Sequence, residues 1–451
     1  MKRIFYLGLA LLLTTFLFLS DLTMVQAADA TQTTPQTLSL DQALELAQKN
    51  SAQLKAAAQS VKIAEDSLQE AKAGLLPTVG YSFAVNKNDP ALMTGVKPAP
   101  PPTFLEPISV DQQYIGAVSA NEVLYSGGKI QMGVKLAELK LASAREDERK
   151  AKQQLIFNVK DAYYRLWAAE KMFIMTQSSY QNMEDHYQQV DKLFRAGSAS
   201  KFDLLRTQTQ CESFKPQLIQ AQSSLTLVRL SLASIIGMDP TQLFTVAVDP
   251  DQLKLPERVQ LVEADLLNLA YQNRPEIRQI AQAAEMAKCS SELAAAGFKP
   301  TVNLSTKYSA MGTDFNLSQW TPQWTLTLSV SGNIYDGSAT PARMANAKDN
   351  VELTALREQG LRDSIRFDIE QTCQNLQQSL DTIQANQSLI DLSKETLKLT
   401  QNRFDSGIAT IMDIADAQLA LDKTQGAYYQ GIASYLSALA KLDLVTGKEV
   451  E

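Results

Sequence analysis

Residues 403–418 read RFDSGIATIMDIADAQ, and residues 193–208 read LFRAGSASKFDLLRTQ. Both stretches have Phe, then Gly three residues on, then Asp six residues after that: Phe194, Gly197 and Asp203 against Phe404, Gly407 and Asp413. The offset of 210 recurs along the chain, pairing Tyr125 with Tyr335, Gly127 with Gly337 and Gly237 with Gly447. Upstream it becomes 223, where Leu44, Ala47, Asn50 and Pro77 match Leu267, Ala270, Asn273 and Pro300. The difference of 13 falls between Pro77 and Tyr125, where NKNDPALMTGVKPAPPPTFLEP carries six prolines and predicts an inserted loop. A duplication this long governs every other reading of the chain. It divides the sequence into two homologous halves, 28–240 and 262–447, joined by a linker at 241–261.

Each half predicts the same order of elements. A helix opens it; in the first half Ser39 with Gln42 has capping-box spacing, and the helix runs to the residues before Pro77. A strand hairpin follows, at 78–125 and again at 301–335. Val79, Tyr81, Phe83 and Val85 alternate with smaller or polar residues, and Trp324, Leu326, Leu328 and Val330 share one face. Long helices come next, at 128–195 and 339–405, each about 100 Å at ~1.5 Å per residue. Ile369, Leu376, Ile383, Ile390, Leu397 and Phe404 lie seven apart, as do Val159, Leu166, Phe173, Tyr180, Tyr187 and Phe194. Thr372, Ser379, Asn386, Ser393 and Thr400 follow three residues behind the series that starts at Ile369, and such small side chains let helices approach closely. Sustained heptads imply supercoiled helices. After the Gly197 and Gly407 turns, returning helices run over 202–236 and 411–446.

The N-terminus places the chain outside the cytoplasm. Lys2 and Arg3 precede an apolar run from Ile4 to Leu19 and the small-residue sequence ending at Ala27, which predicts a signal peptide over 1–27. Beyond it no apolar run reaches the ~18 residues of a membrane helix, a test to which β-strands are invisible. The net charge of -7 argues against nucleic acid as a partner. Cys211, Cys289 and Cys373 are widely spaced and odd in number, and read as packing residues. His186 is the single histidine and reads as a solvated helix position. With no metal cluster, no triad and no phosphate loop, the sequence calls for no catalytic site and no cofactor. Two strands cannot make a stable sheet, and four cannot close a barrel, so the strands predict pairing with other copies of the chain.

The strand-to-helix turns LYSGGK at 124–129 and IYDGSA at 334–339, the RFxxG turn at Arg403–Gly407 with its weaker copy at 194–197, and Asn-Arg-Pro-Glu at 273–276 resemble the TolC-like outer-membrane efflux proteins. The likeness covers essentially the whole mature chain. It implies a mixed, mainly α fold with a membrane β-barrel part. Long coiled-coil helices would form a periplasmic α-barrel, and each chain would give four strands to a 12-stranded barrel of a homotrimer. The implied function is a passive outer-membrane conduit for export or efflux of small molecules or proteins. Its implied partners are a periplasmic adaptor, an inner-membrane transporter and outer-membrane lipid.

Asp413 and Asp416 share one face of the returning helix just after the Gly407 turn. Carboxylates in a first turn are ordinarily explained by the helix dipole and free amides. The resemblance implies more: a pore constriction at the periplasmic tip, formed by Asp413 and Asp416, with Asp203 in the network that holds it closed. Ile408 and Ala409 depart from the polar or basic latch residues of the family, which leaves Arg206 or Lys201 as substitutes. The Gly197 and Gly407 turns, with Arg403 and Phe404, are the expected adaptor-docking surface. Trp320 and Trp324, beside a loop, are expected in a membrane-interface belt. The competing reading is a soluble periplasmic coiled-coil scaffold.

Overall fold

The computed structural model describes residues 36–98, 105–239, 242–248 and 262–448, so the expected signal peptide lies outside the described residues. The first half contains β1 (Gln36–Leu38), α1 (Leu40–Asn50), α2 (Ala52–Ala73), β2 (Thr78–Pro98), β3 (Leu105–Tyr125), α3 (Lys129–Arg195) and α4 (Lys201–Ile236). Between the halves lies β4 (Phe244–Val246). The second half contains α5 (Glu263–Asn273), α6 (Pro275–Ala295), β5 (Thr301–Gly312), β6 (Thr321–Ser331), α7 (Ala339–Asp405) and α8 (Ile411–Thr446). The duplication is visible in the lengths: α3 and α7 each have 67 residues, and α4 and α8 each have 36.

The helices form one continuous layer. On the strand side of the molecule its order is α2–α3–α6–α7, and towards the Gly197 and Gly407 turns it is α4–α3–α8–α7. The heptad positions lie where the chain turns its apolar stripe inward: Val159, Leu166, Ile369, Leu376 and Ile383 are fully buried, and Thr372 and Ser379 are buried beside them. All three cysteines are free thiols. Burial first, and a hydrogen bond to Glu184 second, push the Cys211 thiol up to about 12, so it is an inert packing group.

Four differences from the sequence reading have local causes. The opening helix does not run unbroken to Leu76. It stops at Asn50 and restarts at Ala52, because the Ser51 hydroxyl accepts the Leu54 amide at 3.2 Å and caps a new helix. The expected loop at 86–107 is largely strand: β2 and β3 stay paired out to Pro98↔Leu105, with two register shifts absorbing the irregular sequence. The second hairpin ends at Ser331 and not at Tyr335, since its partner β5 begins at Thr301, after Pro300, which has no amide to offer. The linker holds β4, which pairs in parallel with β1. The buried Tyr163 hydroxyl bonds the carbonyls of Leu38 and Ala247, each at 3.0 Å, and ties this small sheet to α3.

The helix break is also where each half is fastened. In the first, the Asn50 side chain donates to the Ile236 carbonyl at 3.0 Å, the last turn of α4. In the second, Gln153 donates to the Gly447 carbonyl at 3.2 Å, and the buried Arg274 pairs with Asp368 at 3.2 Å and Glu276 at 3.4 Å. Glu276 also meets Lys150 of α3 at 3.4 Å. Burial pushes the Glu276 carboxyl up, but Arg274, its own amide and Lys150 together outweigh that and leave it below the usual glutamate range. A depressed folded pKa contributes stability that is full above the unfolded value and lost as pH falls through the folded one. The melting midpoint should therefore fall on acidification below about pH 4. Glu276→Gln should lower it at neutral pH by the equivalent of about 1 kcal/mol and flatten that acid dependence. A wild-type acid profile in Glu276→Gln would remove Glu276 from the account.

The four long strands form one antiparallel sheet in the order β2–β3–β5–β6. The register assigns every side chain to a face. One face carries Val79, Tyr81, Phe83 and Val85, then Val118 and Ala120, then Val302, Leu304, Tyr308 and Ala310, then Trp324, Leu326, Leu328 and Val330. The other carries Ser82, Asn86, Gln113, Ser119, Asn121, Asn303, Ser305, Lys307, Ser309, Gln323, Thr325, Thr327 and Ser329. The apolar face is uncovered, with Tyr81 91% and Trp324 65% exposed. Patches of this size on soluble proteins mark an unfilled interface.

Candidate functional site

The two hairpin tips are built alike. At the end of α3 the amides of Ser198 and Ala199 return to the Leu193 carbonyl, at 2.8 and 3.2 Å. At the end of α7 those of Ile408 and Ala409 return to Arg403, again at 2.8 and 3.2 Å. Gly197 (φ 77°) and Gly407 (φ 73°) supply the left-handed residue this helix ending needs. Each returning helix then starts with a capping box. The Asp203 carboxylate accepts from the Ser200 hydroxyl at 2.6 Å and amide at 3.2 Å, and Asp413 accepts from the Thr410 amide at 2.6 Å and hydroxyl at 2.8 Å.

The structure therefore gives Asp203 and Asp413 a building role at the tips. Hydrogen bonds from Ser200, with Arg206 adding to them, hold the Asp203 carboxyl below the usual aspartate range. Hydrogen bonds from Thr410, then the charges of Arg403 and Arg206, do the same for Asp413. Arg206 stands on the first hairpin, so its field on Asp413 joins the two tips. Asp416 is different. It is exposed, and among the described residues it takes no hydrogen bond and no ion pair. Ile414, Ala415, Ala417 and Gln418, interleaved with the two aspartates, are buried, Ile414 and Ala415 against Met183, Cys211 and Phe214 and Gln418 against Ser179 of the first hairpin, which leaves Asp413 and Asp416 on the open face of α8.

At the offset of 210, Asp416 corresponds to Arg206. The first tip thus presents Asp–Arg and the second Asp–Asp, a comparison the sequence permits once the repeats are aligned through the whole returning helix. The Arg-Phe turn is asymmetric too. Phe404 is half-buried in an apolar cluster with Met183, Phe214, Ile411 and Ile414, whereas Phe194 stays exposed. His186 is not a solvated position: its ring meets Phe404 edge-on at 5.9 Å, and burial lowers its pKa against the pull of Asp185 and Asp405.

At the far end of the molecule, Trp320 stacks on Phe83 at 6.3 Å, lies over Gly116 and Gly312, and donates its indole N–H to the Asp314 carbonyl at 2.9 Å. Tyr114 and Phe315 meet at 4.4 Å beside it, and Trp324 shares a row with Tyr81, Val118 and Tyr308. The aromatics thus concentrate towards one end of the apolar face.

The family model described as outer membrane efflux protein matches residues 43–238 and 266–448, the two repeats in turn. The chain belongs to the outer membrane efflux protein family. It is similar to the alkaline protease secretion protein AprF of Pseudomonas aeruginosa, 22% identical with 89% of this chain and 83% of that one covered. It is also similar to the pyoverdine export outer membrane protein OpmQ of Pseudomonas putida, 23% identical over 86% and 81% of the two chains. Among solved structures it superposes on CusC, described in connection with transmembrane channel formation, with a TM-score of 0.76 at 17% identity, covering 91% of this chain and 92% of that one. The fold is that of the TolC-like channel-tunnels, with α-barrel and β-barrel parts. Members of this efflux protein family are outer-membrane channel proteins and not enzymes, and the location is the outer membrane.

Proposed function

We propose that three copies of this chain close into one tube, whose β part crosses the outer membrane and whose helical part spans the periplasm. The tube serves as a passive export conduit for an inner-membrane transporter reached through a periplasmic adaptor. The observation that carries the reading is the two-faced sheet with unpaired edges. On the apolar face the rows run from Val302 to Gly312, ten residues along β5. At ~3.3 Å per residue and a tilt near 40° this band is about 25 Å tall, the height of a barrel's lipid-facing belt. Lys307 fixes which face meets lipid. It lies midway along the band on the polar face, and a lysine turned to the bilayer midplane would cost about 2–4 kcal/mol. Trp320, with Phe83, Tyr114 and Phe315, then forms the outer girdle, while Trp324, one row from Lys307, lies closer to mid-depth than an interface belt requires.

The helices support closure in the same way. Inside the chain, α3 of the first repeat packs on α8 of the second. The repeat-equivalent contact, α7 on the α4 of another copy, is unmade, and Leu389, Leu392 and Leu399 of α7 and Phe202, Ile219 and Leu227 of α4 stand exposed. A soluble scaffold gives no reason for an uncovered apolar sheet. SDS-resistant trimers in the outer-membrane fraction, forming channels in planar bilayers, are the expected result; a monomer in the soluble periplasmic fraction would refute it.

The Gly197 and Gly407 turns are the proposed adaptor-docking surface. A Cβ at either meets nothing within 4 Å, so a side chain there projects into open space. Gly407→Arg should cost about 1–2 kcal/mol of backbone strain and leave the trimer assembled, while export in cells falls to background. Full export by that variant would place docking elsewhere.

A further inference from the structure

We infer that Lys307 forms a ring of three ammonium groups in the barrel lumen that binds polyvalent anions. This rests on the three-copy tube proposed above. Among the described residues, Lys307 is the only charged side chain on the polar face of the four-stranded block, from Thr78–Asn86 across to Thr321–Ser331. Glu122 of that block and Lys87 just beyond it fall on the apolar face, near its periplasmic and outer ends. Among the described residues of that block, no carboxylate on the polar face neutralises the ammonium.

The surroundings suit an anion. The register sets Lys307 between Ser119 of β3 and Thr325 of β6, with Gly80 next along the row. These neighbours are small, so nothing covers the side chain, which is exposed. Ser119, Ser309, Thr325 and Thr327 add hydroxyls that can donate to the same ligand. The row lies between the Tyr81–Val118–Tyr308–Trp324 and Val79–Ala120–Thr306–Leu326 rows, at mid-depth of the apolar band. Only one layer of strand separates it from lipid, and low-dielectric walls focus the field of a charge into the water they enclose. Rings of lysine or arginine are how pores favour anions. The tube would thus carry two filters of opposite sign, lysine in the barrel and aspartate at the tip. Its cargo in the barrel would favour groups bearing several carboxylates or phosphates.

The test uses the full-length channel in planar bilayers with tripolyphosphate added on the outer side, for wild type, Lys307→Gln and Lys307→Glu. The wild-type current should be blocked, more strongly at low salt, where screening lengthens to about 30 Å at 0.01 M. Lys307→Gln should raise the half-blocking concentration by about tenfold, as three charge-assisted contacts are lost, with its trimer retained. Lys307→Glu should abolish the block. Equal block in wild type and Lys307→Gln, or no block in wild type, overturns the lysine ring alone. Absence of wild-type channels overturns the tube and the ring together.

Discussion

Gly447→Val is expected to eliminate the assembled channel, whereas Gly407→Val leaves it in the membrane. Both glycines have left-handed backbones, with φ of 69° and 73°, so a substituent pays the same conformational penalty at either, about 1–2 kcal/mol. Their surroundings differ. A Cβ at Gly447 would lie 2.8 Å from the Arg274 amide nitrogen and the Asn273 carbonyl carbon, and 2.9 Å from the Asn273 oxygen. These are backbone atoms at a helix break held by the Arg274–Asp368 and Arg274–Glu276 pairs, and they have no rotamer by which to retreat. Overpacking adds about 1–3 kcal/mol or more. The total, about 2–5 kcal/mol, is a large part of a typical stability of about 5–15 kcal/mol. Outer-membrane trimer abundance after expression at 37 °C is the measurement. Equal abundance of the two variants would show that the break yields more easily than its hydrogen bonds suggest. Gly237 offers an internal repeat of the test, since its Cβ would meet the Asn50 Cβ at 2.6 Å.

What the sequence shows of this molecule follows from how locally each feature is encoded. The heptads of α3 and α7 are legible because burial recurs with the helix period, and Ile369, Leu376 and Ile383 are buried as that period requires. The tips are legible because a left-handed residue all but demands glycine at 197 and 407. The break at Ser51 is hidden, since a serine inside an alanine-rich run reads as helix until a docked partner, here the end of α4 through Asn50, makes stopping worthwhile. The pairing of β1 with β4 joins three-residue strands about two hundred positions apart, and no pattern that short carries a signal. Pairing through Pro90–Pro98 is hidden for the opposite reason. Six prolines argue for a loop, while the ladder accepts Pro98 and Pro107 as paired positions, with register shifts between them and Lys87. At the candidate constriction the sequence names Asp413 and Asp416 but treats them as equals. Their difference lies in Thr410, a capping partner visible in the sequence once the helix start is known.

That difference yields the last expectation. In planar bilayers, Asp416→Asn should weaken block by multivalent cations on the order of tenfold and raise single-channel conductance, since a ring of three free carboxylates would be lost. Asp413→Asn should do less to block. One oxygen of Asp413 already accepts both Thr410 bonds, and Arg403 and Arg206 offset its charge. Its larger effect should be on the tip itself, seen as faster proteolysis at the 405–411 turn. The double variant should combine both phenotypes, and unchanged block in it would place the constriction elsewhere. Arg206→Ala separates charge from shape: removing a cation that faces Asp413 should strengthen cation block while the fold of α4 stays intact, because Arg206 is exposed and caps nothing. The opposite sign, a weaker block, would mean that Arg206 acts chiefly by holding the two tips together. The duplicated turn would then owe its asymmetry to closure, and Arg206 opposite Asp413 would be the latch that Ala409 does not supply.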